Sequence, residues 1–156
     1  MRLDYLNPIV ESAIAVLTEC TGTPVERGDM SLNQTASPTR DVAAIIGMAG
    51  EVEGRVILEM SRDTALSVAS QMNQQKLAEL SPLALDTLME LANMVVARGV
   101  SALNDNGFTF RLTPPMIFTG SNLCFFSNLN IETLAIPLQL SAGEITLNVA
   151  LRMSQF

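Results

Sequence analysis

The chain has 156 residues, of which 48% are hydrophobic and 16% are charged, and its formal net charge is −7. A hydrophobic share of this size predicts a globular protein with a substantial core. The acidic balance, and the lack of any cluster among the nine Lys and Arg residues, argue against nucleic acid and anionic membrane surfaces as partners. The absence of histidine from the sequence excludes Ser-His, Cys-His and His-metal sites.

The first helix is predicted from the stretch NPIVESAIAVLTECTG, with Asn7 as its N-cap, Pro8 in its first turn and Gly22 at its end. The following stretch, TPVERGDMSLNQTASPTRD, predicts a strand and then a polar, mobile loop. The run VAAIIGMAGEVEGRVILEMS predicts a hairpin whose two strands are joined around residues 49–51, where a glycine supplies the turn geometry.

Two more helices are predicted in the middle of the chain. SRDTALSVASQMNQQ reads as a short amphipathic helix capped by Ser61 or Asp63. LSPLALDTLMELANMVVARGVSALNDNG reads as the longest helix, with Ser81 as its cap, Pro82 in its first turn and the Asn-Asp-Asn-Gly run as its end. Only strand signals follow, in FTFRLTPPMIFTG, NLCFFSNL, ETLAIPLQLSAG and EITLNVALRMS.

These elements favour an α+β fold. An antiparallel sheet with the long helices packed on one face would bury both apolar patterns. No linker or low-complexity segment divides the chain, so residues 1–156 are expected to form a single domain. Cys20 and Cys124 lie far apart and are expected to be buried, without a disulfide or a zinc site. The start MRLDYLNPIV lacks the apolar run of a signal peptide or membrane span, which favours the cytoplasm.

Two segments in different halves of the chain have similar sequences. Shifted by 93 positions, AGEVEGRVILEMS falls on AGEITLNVALRMS without a gap, and Ala, Gly, Glu, Val, Leu, Met and Ser recur at matching places. This internal similarity predicts a pseudo-two-fold repeat of a helix and a hairpin. Two unrelated aliphatic hairpins could also share such a pattern.

A polar stripe runs along the longest predicted helix. Residues three, four and seven apart share a helix face, so the apolar positions form one broad face: Leu85, Leu88, Met89, Ala92, Val95, Val96, Gly99 and Leu103. A second face contains Asp86, Glu90, Asn93, Ala97, Ser101 and Asn104. Glu90 and Asn93 are neighbours there, beside the small Ala97. Such a stripe can be an ordinary solvated face, but an amide can also hold and aim a water, and an isolated carboxylate can pair with a partner's Lys.

The residues of this stripe resemble the signature of the CheC/CheX/FliY phosphatases of bacterial chemotaxis, which dephosphorylate the response regulator CheY. That signature is Asp or Ser, three residues, Glu, two residues, Asn, and then a Pro about twenty-two residues later. Asp86, Glu90 and Asn93 fit it, and Pro114-Pro115 follows after twenty or twenty-one intervening residues. Ala97 stands where a glycine is expected. The resemblance extends over the later strands, including IPLQLSAGEITLNVAL.

The resemblance implies a fold and a mechanism. The implied fold is α+β, with long helices on an antiparallel sheet and a pseudo-two-fold repeat. Asn93 would orient water for in-line attack on the aspartyl phosphate of a receiver domain, and Glu90 would pair with the receiver's Lys. Asp86 and Ala97 would belong to the partner-binding surface, with Asp86 either capping the contact or merely solvated. No cofactor is expected on this chain, because the Mg²⁺ would lie on the receiver.

The first helix offers Glu11 but has Ile14 where the signature has Asn, so one competent copy is expected. A single copy is most similar to CheX, whose members form homodimers by sheet-edge contacts. Two alternatives to the phosphatase remain open. One is a non-catalytic adaptor of the same fold that binds a receiver domain or a flagellar switch component. The other is an unrelated structural domain.

Overall fold

The computed structural model describes residues 3–33, 40–125 and 131–155. Its helices are α1 (Leu3–Thr21), α2 (Arg62–Asn73) and α3 (Pro82–Asp105). Its strands are β1 (Glu26–Arg27), β2 (Ser31–Asn33), β3 (Val42–Gly50), β4 (Val52–Met60), β5 (Phe110–Leu112), β6 (Met116–Thr119), β7 (Thr133–Leu140) and β8 (Gly143–Met153). All described strand pairs are antiparallel, which confirms the predicted α+β class.

The strands form one sheet in the order β1-β7-β8-β4-β3-β5, with β2 also paired to β7 and β6 also paired to β3. The strand order is symmetric about its centre. The hairpin β7-β8 carries the short strands β1 and β2 on its outer edge, and the hairpin β3-β4 carries β5 and β6 on its outer edge. At the centre, β4 and β8 pair so that Val56 lies opposite Val149, the residue 93 positions later. These pairings are the ones that a two-fold repeat requires, and the repeat itself stays a prediction.

The helices cover one face of the sheet, as predicted. α1 packs on α3, α3 packs on β3 and β6, and both α1 and α2 contact β8. The alternate strand residues that face the helices are buried in the core, among them Val42, Ala44, Ile46, Val56, Leu58, Ile136, Leu138, Leu147 and Val149. On the opposite face the strands carry ion pairs, between Arg152 and Glu53 at 2.8 Å and between Arg40 and Glu144. One face of the sheet is therefore a core layer, and the other combines these ion pairs with buried apolar residues such as Ala43, Ile57 and Ala150.

The helix ends agree with the sequence signals, except at the start of α1. The Ser61 side chain caps α2 by accepting a hydrogen bond from Thr64 N at 3.2 Å. Gly22 ends α1 with a φ of +67°, a conformation that costs glycine little. The prediction that Asn7 caps α1 is wrong, because α1 begins at Leu3 and Pro8 lies inside it.

Tertiary packing explains the longer α1. Tyr5 and Leu6 are 1% and 0% exposed, and the Tyr5 ring meets the Phe108 ring edge-on at 5.4 Å between centroids. Burial of these side chains outweighs the single helical hydrogen bond that Pro8 cannot donate.

Three further predictions need correction or stay open. Cys124 is exposed and Cys20 is half-buried, so neither is a core residue. FTFRLTPPMIFTG forms two strands, because the prolines cannot donate to the ladder on β3. Residues 122–125 of NLCFFSNL form no strand, whereas residues 126–129 and most of the expected loop (34–39) lie outside the described residues. The single-domain prediction stays a prediction.

Candidate active site

The candidate site lies on α3, whose start is set by local hydrogen bonds. Ser81 has an extended backbone, its side chain accepts a hydrogen bond from Ala84 N at 3.3 Å, and Pro82 occupies the first helical turn. These are the cap and the proline that the sequence predicted. The Asn73 side-chain amide donates to Thr87 Oγ1 at 2.8 Å, which ties the end of α2 to the second turn of α3.

The middle of α3 is fixed against α1. Ser12 Oγ donates a buried hydrogen bond of 2.6 Å to Val95 O. Gly99 lies against α1 so closely that an added Cβ would come within 3.1 Å of Ile9 Cα. A glycine therefore lets the two helix backbones approach, and α3 is held in place nearly two turns beyond Asn93.

The predicted apolar face of α3 is largely confirmed. The buried residues are Ala84, Leu88, Leu91, Ala92, Val95, Val96, Gly99, Val100 and Leu103. Three of these buried residues, Ala84, Leu91 and Val100, were not predicted on this face. Leu85 and Met89 were predicted on it but are only half-buried. The buried face is rotated slightly from the predicted one, because it must meet α1 as well as the sheet.

The predicted polar stripe lies outside the core. Asp86 and Glu90 are exposed, and Asn93 and Ala97 are half-buried. At about 100° per residue these four positions fall within an arc of about 60°, so the structure brings all four together on one side of α3. In the part of the chain that the structure describes, no hydrogen bond or ion pair engages the Asp86, Glu90 or Asn93 side chain. The carboxylates and the amide are therefore available to another molecule.

The helix that carries the stripe is acidic. α3 contains Asp86, Glu90 and Asp105, against the single cation Arg98. Arg98 makes two hydrogen bonds of 3.0 Å to Glu19, and these bonds lower the pKa of the Glu19 carboxyl. Because this cation is already paired, the stripe itself presents uncompensated negative charge, which favours a partner with an exposed Lys.

One residue of this surface was missed by the sequence reasoning. Leu83 is 44% exposed and lies seven residues before Glu90, hence on the same side of α3. Its position on the helical wheel was a signal that could have found it. A large apolar side chain beside an unpaired carboxylate suits a protein partner better than a small ion.

The Pro pair of the signature lies beside β3. Pro114 is exposed and Pro115 is half-buried, between β5 and β6, both of which pair with β3. Thr113 anchors the segment, since its N donates to Gly47 O at 2.9 Å and its Oγ1 accepts from Gly47 N at 2.8 Å. The strand that follows, β6, contacts α3, so the Pro pair leads directly to an element that packs on the site helix.

Two depressions of the described surface lie away from the stripe. One of about 440 Å³ is lined by Asp4, Asn7, Glu11 and Phe108, among others, and one of about 570 Å³ is lined by Asp41, Arg62, Leu80 and Thr119, among others. Among the described residues there is no group of three or more His, Cys, Asp or Glu placed to hold a metal ion. The stripe is a convex helix surface, so a second molecule has to complete any reaction site.

Comparison with known proteins identifies the family. The model of the chemotaxis phosphatase CheX family matches residues 42–139. The chain belongs to the CheX family of chemotaxis phosphatases. The matched range contains Asp86, Glu90, Asn93 and the Pro pair, and membership confirms both the resemblance and the prediction of a phosphatase.

Individual relatives cover between 79% and 97% of the chain. The CheY-P phosphatase CheX of Thermotoga maritima is 28% identical over 124 residues, which is 79% of this chain and 80% of the relative. The CheX–CheY complex with BeF3 and Mg²⁺ from Borrelia burgdorferi contains a chain that is 32% identical, with a TM-score of 0.83 over 97% of this chain and 99% of that one. A CheC-like protein from Shewanella sp. PV-4 has a TM-score of 0.88 at 22% identity, over 97% of this chain and 99% of that one. The CheX fold thus extends over α1 and β8, beyond the range of the family model.

None of the helices within the described residues combines the length and apolar character required to cross a membrane.

Proposed function

We propose that this chain hydrolyses the aspartyl phosphate of a CheY-type receiver domain, with Asn93 orienting the attacking water and Glu90 binding the receiver's Lys. The observation that carries the proposal is the unengaged carboxylate and amide side by side on a rigid helix. Two relatives support the choice of substrate, since one is a CheY-P phosphatase and the other forms a complex with CheY.

Docking is the task of Glu90. An exposed carboxylate with no partner among the described residues keeps its full capacity to accept hydrogen bonds from an ammonium group. The acidic surfaces of α1 and α3 steer a basic partner towards it. Asp86 extends the contact by one helical turn, and the small Ala97 leaves room for the receiver's backbone.

Hydrolysis depends on Asn93. An amide is no base at neutral pH, but its oxygen accepts a hydrogen bond from water and its NH₂ donates one to a phosphoryl oxygen. The water oxygen attacks phosphorus in line, the bond from phosphorus to the aspartyl oxygen breaks, and the receiver regains its carboxylate. The water's proton leaves with the inorganic phosphate. Fixing that water is the contribution of this chain.

The half-burial of Asn93 suits this task. Its neighbours on α3, Ala92 and Val96, are buried, so the helix beneath the amide cannot shift without disturbing the core. This chain supplies no metal or cofactor in the proposal. The Mg²⁺ that neutralises the phosphoryl charge belongs to the receiver, as does the Lys that Glu90 contacts.

The proposal includes a cytoplasmic homodimer. The outer edges of the sheet are the short strands β1 and β2 on one side and β5 and β6 on the other. Exposed apolar side chains lie at both edges, Met30 and Leu32 at the first and Met116 and Phe118 at the second. Such edges favour pairing with a second copy. Analytical ultracentrifugation tests the dimer directly.

The proposed reaction is tested by mixing the protein with a phosphorylated, Mg²⁺-loaded CheY receiver from the same genome and following phosphate release. Wild-type protein should accelerate release, and Asn93→Ala should reduce kcat by about 100-fold or more, as the loss of a positioned polar group does elsewhere. Asn104→Ala is the matched control, because Asn104 is an exposed amide of the same stripe three turns away. Equal rates for Asn93→Ala and wild type would contradict the assignment, and binding without acceleration would favour the adaptor.

A further inference from the structure

The outer face of the sheet, which is the face opposite the helices, carries an arginine on each side of β3. The residues of β3 and β4 that alternate with the buried core positions point to this outer face. Arg55 on β4 lies opposite Gly47 of β3, and Arg111 on β5 lies opposite Ala49 of β3. The two arginines are therefore about 10 Å apart across the sheet and about 7 Å apart along it.

The charge of neither arginine is used within the chain. Among the described residues, no hydrogen bond or ion pair engages the side chain of Arg55 or Arg111. Arg111 is exposed, but Arg55 is half-buried, and its Nε atom is buried without a hydrogen-bond partner. A cation that is partly withdrawn from water is normally paired with an anion. The charge of Arg55 is therefore available to an anion from outside the chain.

The carboxylates closest to this pair along the strands are engaged elsewhere. Glu53 forms an ion pair of 2.8 Å with Arg152. Glu51 accepts hydrogen bonds from Thr109 N at 2.6 Å and from Thr109 Oγ1 at 3.0 Å. This corner of the sheet thus combines three arginines with two glutamates, and it carries a net positive charge on a chain whose formal net charge is −7.

The surface between the two arginines is open and includes a hydroxyl group. Gly47 has no side chain, and Ala49 is exposed, so an ion can approach both guanidinium groups over β3. Thr113 stands beside Gly47, since an added Cβ on this glycine would lie 3.0 Å from Thr113 Cγ2. Thr113 Oγ1 accepts a hydrogen bond from Gly47 N at 2.8 Å, which leaves the hydroxyl proton for donation to a ligand.

We propose that Arg55, Arg111 and Thr113 form a binding site for a phosphate group on the outer face of the sheet. Guanidinium groups bind phosphate oxygens through paired N–H donors, and the hydroxyl supplies a further donor. A phosphate group has the charge and the number of oxygens to engage both arginines at once, whereas a single carboxylate satisfies one. The phosphate belongs either to a free ion or to a phosphorylated side chain. The proposal does not rest on the proposed function, because the sheet separates this site from α3.

NMR titration of the full chain tests the site. The Arg55 Nε–H and Gly47 amide resonances are followed while sodium phosphate replaces sodium chloride at constant ionic strength and pH 7. We expect saturable shifts of both resonances. Arg111→Gln should weaken phosphate binding by about tenfold or more, because it removes charge-assisted hydrogen bonds. Arg62→Gln is the matched control, since it removes an exposed arginine of α2, and it should change the affinity by no more than about twofold.

A second variant separates the guanidinium geometry from the charge. Arg55→Lys keeps the positive charge but loses the planar pair of donors, so it should also weaken phosphate binding by about tenfold. Circular dichroism checks that each variant is folded. Shifts that grow in proportion to phosphate without saturating, or an affinity that is the same in wild type and in folded Arg111→Gln and Arg55→Lys, would overturn the site.

Two further titrations define the ligand. Sodium acetate should give no saturable shift, and acetate binding as tight as phosphate binding would overturn the assignment to a phosphate group. O-phosphoserine distinguishes the two sources of the phosphate. Tighter binding of O-phosphoserine than of inorganic phosphate supports a phosphorylated side chain as the ligand, and the reverse order supports the free ion.

Discussion

Replacing Gly99 by alanine tests how closely the site helix is held to α1. The new Cβ would lie 2.7 Å from Ile9 Cδ1, 3.1 Å from Ile9 Cα and 3.3 Å from Pro8 O. Ile9 is 0% exposed, so its side chain has little free space into which it could move. Two of the three contacts are with backbone atoms, and the helices would have to separate by a few tenths of an ångström.

Two opposing effects set the size of the change. Alanine is favoured over glycine inside a helix by about 1 kcal/mol. Overpacking a well-filled core costs about 1–3 kcal/mol. The expected net loss in the free energy of unfolding is therefore about 1 kcal/mol. Phosphatase activity per folded molecule should change little, because Gly99 faces α1 and not the stripe.

Urea denaturation followed by circular dichroism at 222 nm measures the loss. Ala102→Gly is the control, because Ala102 is an exposed residue of α3 and reports the helix propensity difference alone. If Gly99→Ala is instead more stable than wild type by the amount that Ala102→Gly is less stable, the close approach of the helices is refuted.

Three further outcomes follow from the structure. Glu90→Gln should raise KM by about tenfold with little change in kcat, because it removes a charge-assisted contact that is made throughout the reaction. The substitution should also weaken the dependence of kcat/KM on salt concentration. Steady-state kinetics that are unchanged at two ionic strengths would contradict this expectation. Leu83→Ser should raise KM by about fivefold without lowering stability, since this side chain is 44% exposed and gains contact only with a partner; a drop in the urea midpoint would show an intramolecular role instead. Burial raises the pKa of the Glu59 carboxyl in the folded state, so the folded protein holds that proton more tightly than the unfolded chain does. Proton binding therefore stabilises the folded state at low pH, and this contribution is lost as the pH rises through the folded pKa. Glu59→Gln should therefore stabilise the protein at pH 7 relative to wild type, with a difference that shrinks as the pH falls through the raised folded pKa and levels off below the ordinary value of 4.5. A difference independent of pH in urea titrations would be the contrary result.

Much of the fold could be predicted because local signals agreed with tertiary packing. The start of α3 is set by the N-cap Ser81 and by Pro82 in the first turn, and the hairpin turn is set by the positive φ of Gly50. Both depend on local residue preferences that can be recognised in the sequence. The stripe of Asp86, Glu90 and Asn93 was also predictable, since helical periodicity alone places these positions on one side.

The predictions that were wrong concern features that depend on contacts between distant parts of the chain. α1 begins before Pro8 because Tyr5 packs on Phe108, about a hundred residues away, and no local signal reports that contact. Cys124 is exposed although free cysteines are usually buried, because it follows the edge strand β6 outside the core. The short strand β2 lies in a segment that was predicted as a loop, and it forms by pairing with β7.

The most direct test of the central claim is the single-turnover rate of phosphate release from a phosphorylated receiver at saturating concentrations of this protein. Saturation removes docking from the measurement and leaves the chemical step. The account predicts that Asn93→Ala still binds the receiver with wild-type affinity, while its saturated rate falls to nearly that of the receiver alone. A saturated rate for Asn93→Ala close to that of wild type would contradict the assignment of the amide as the group that orients water.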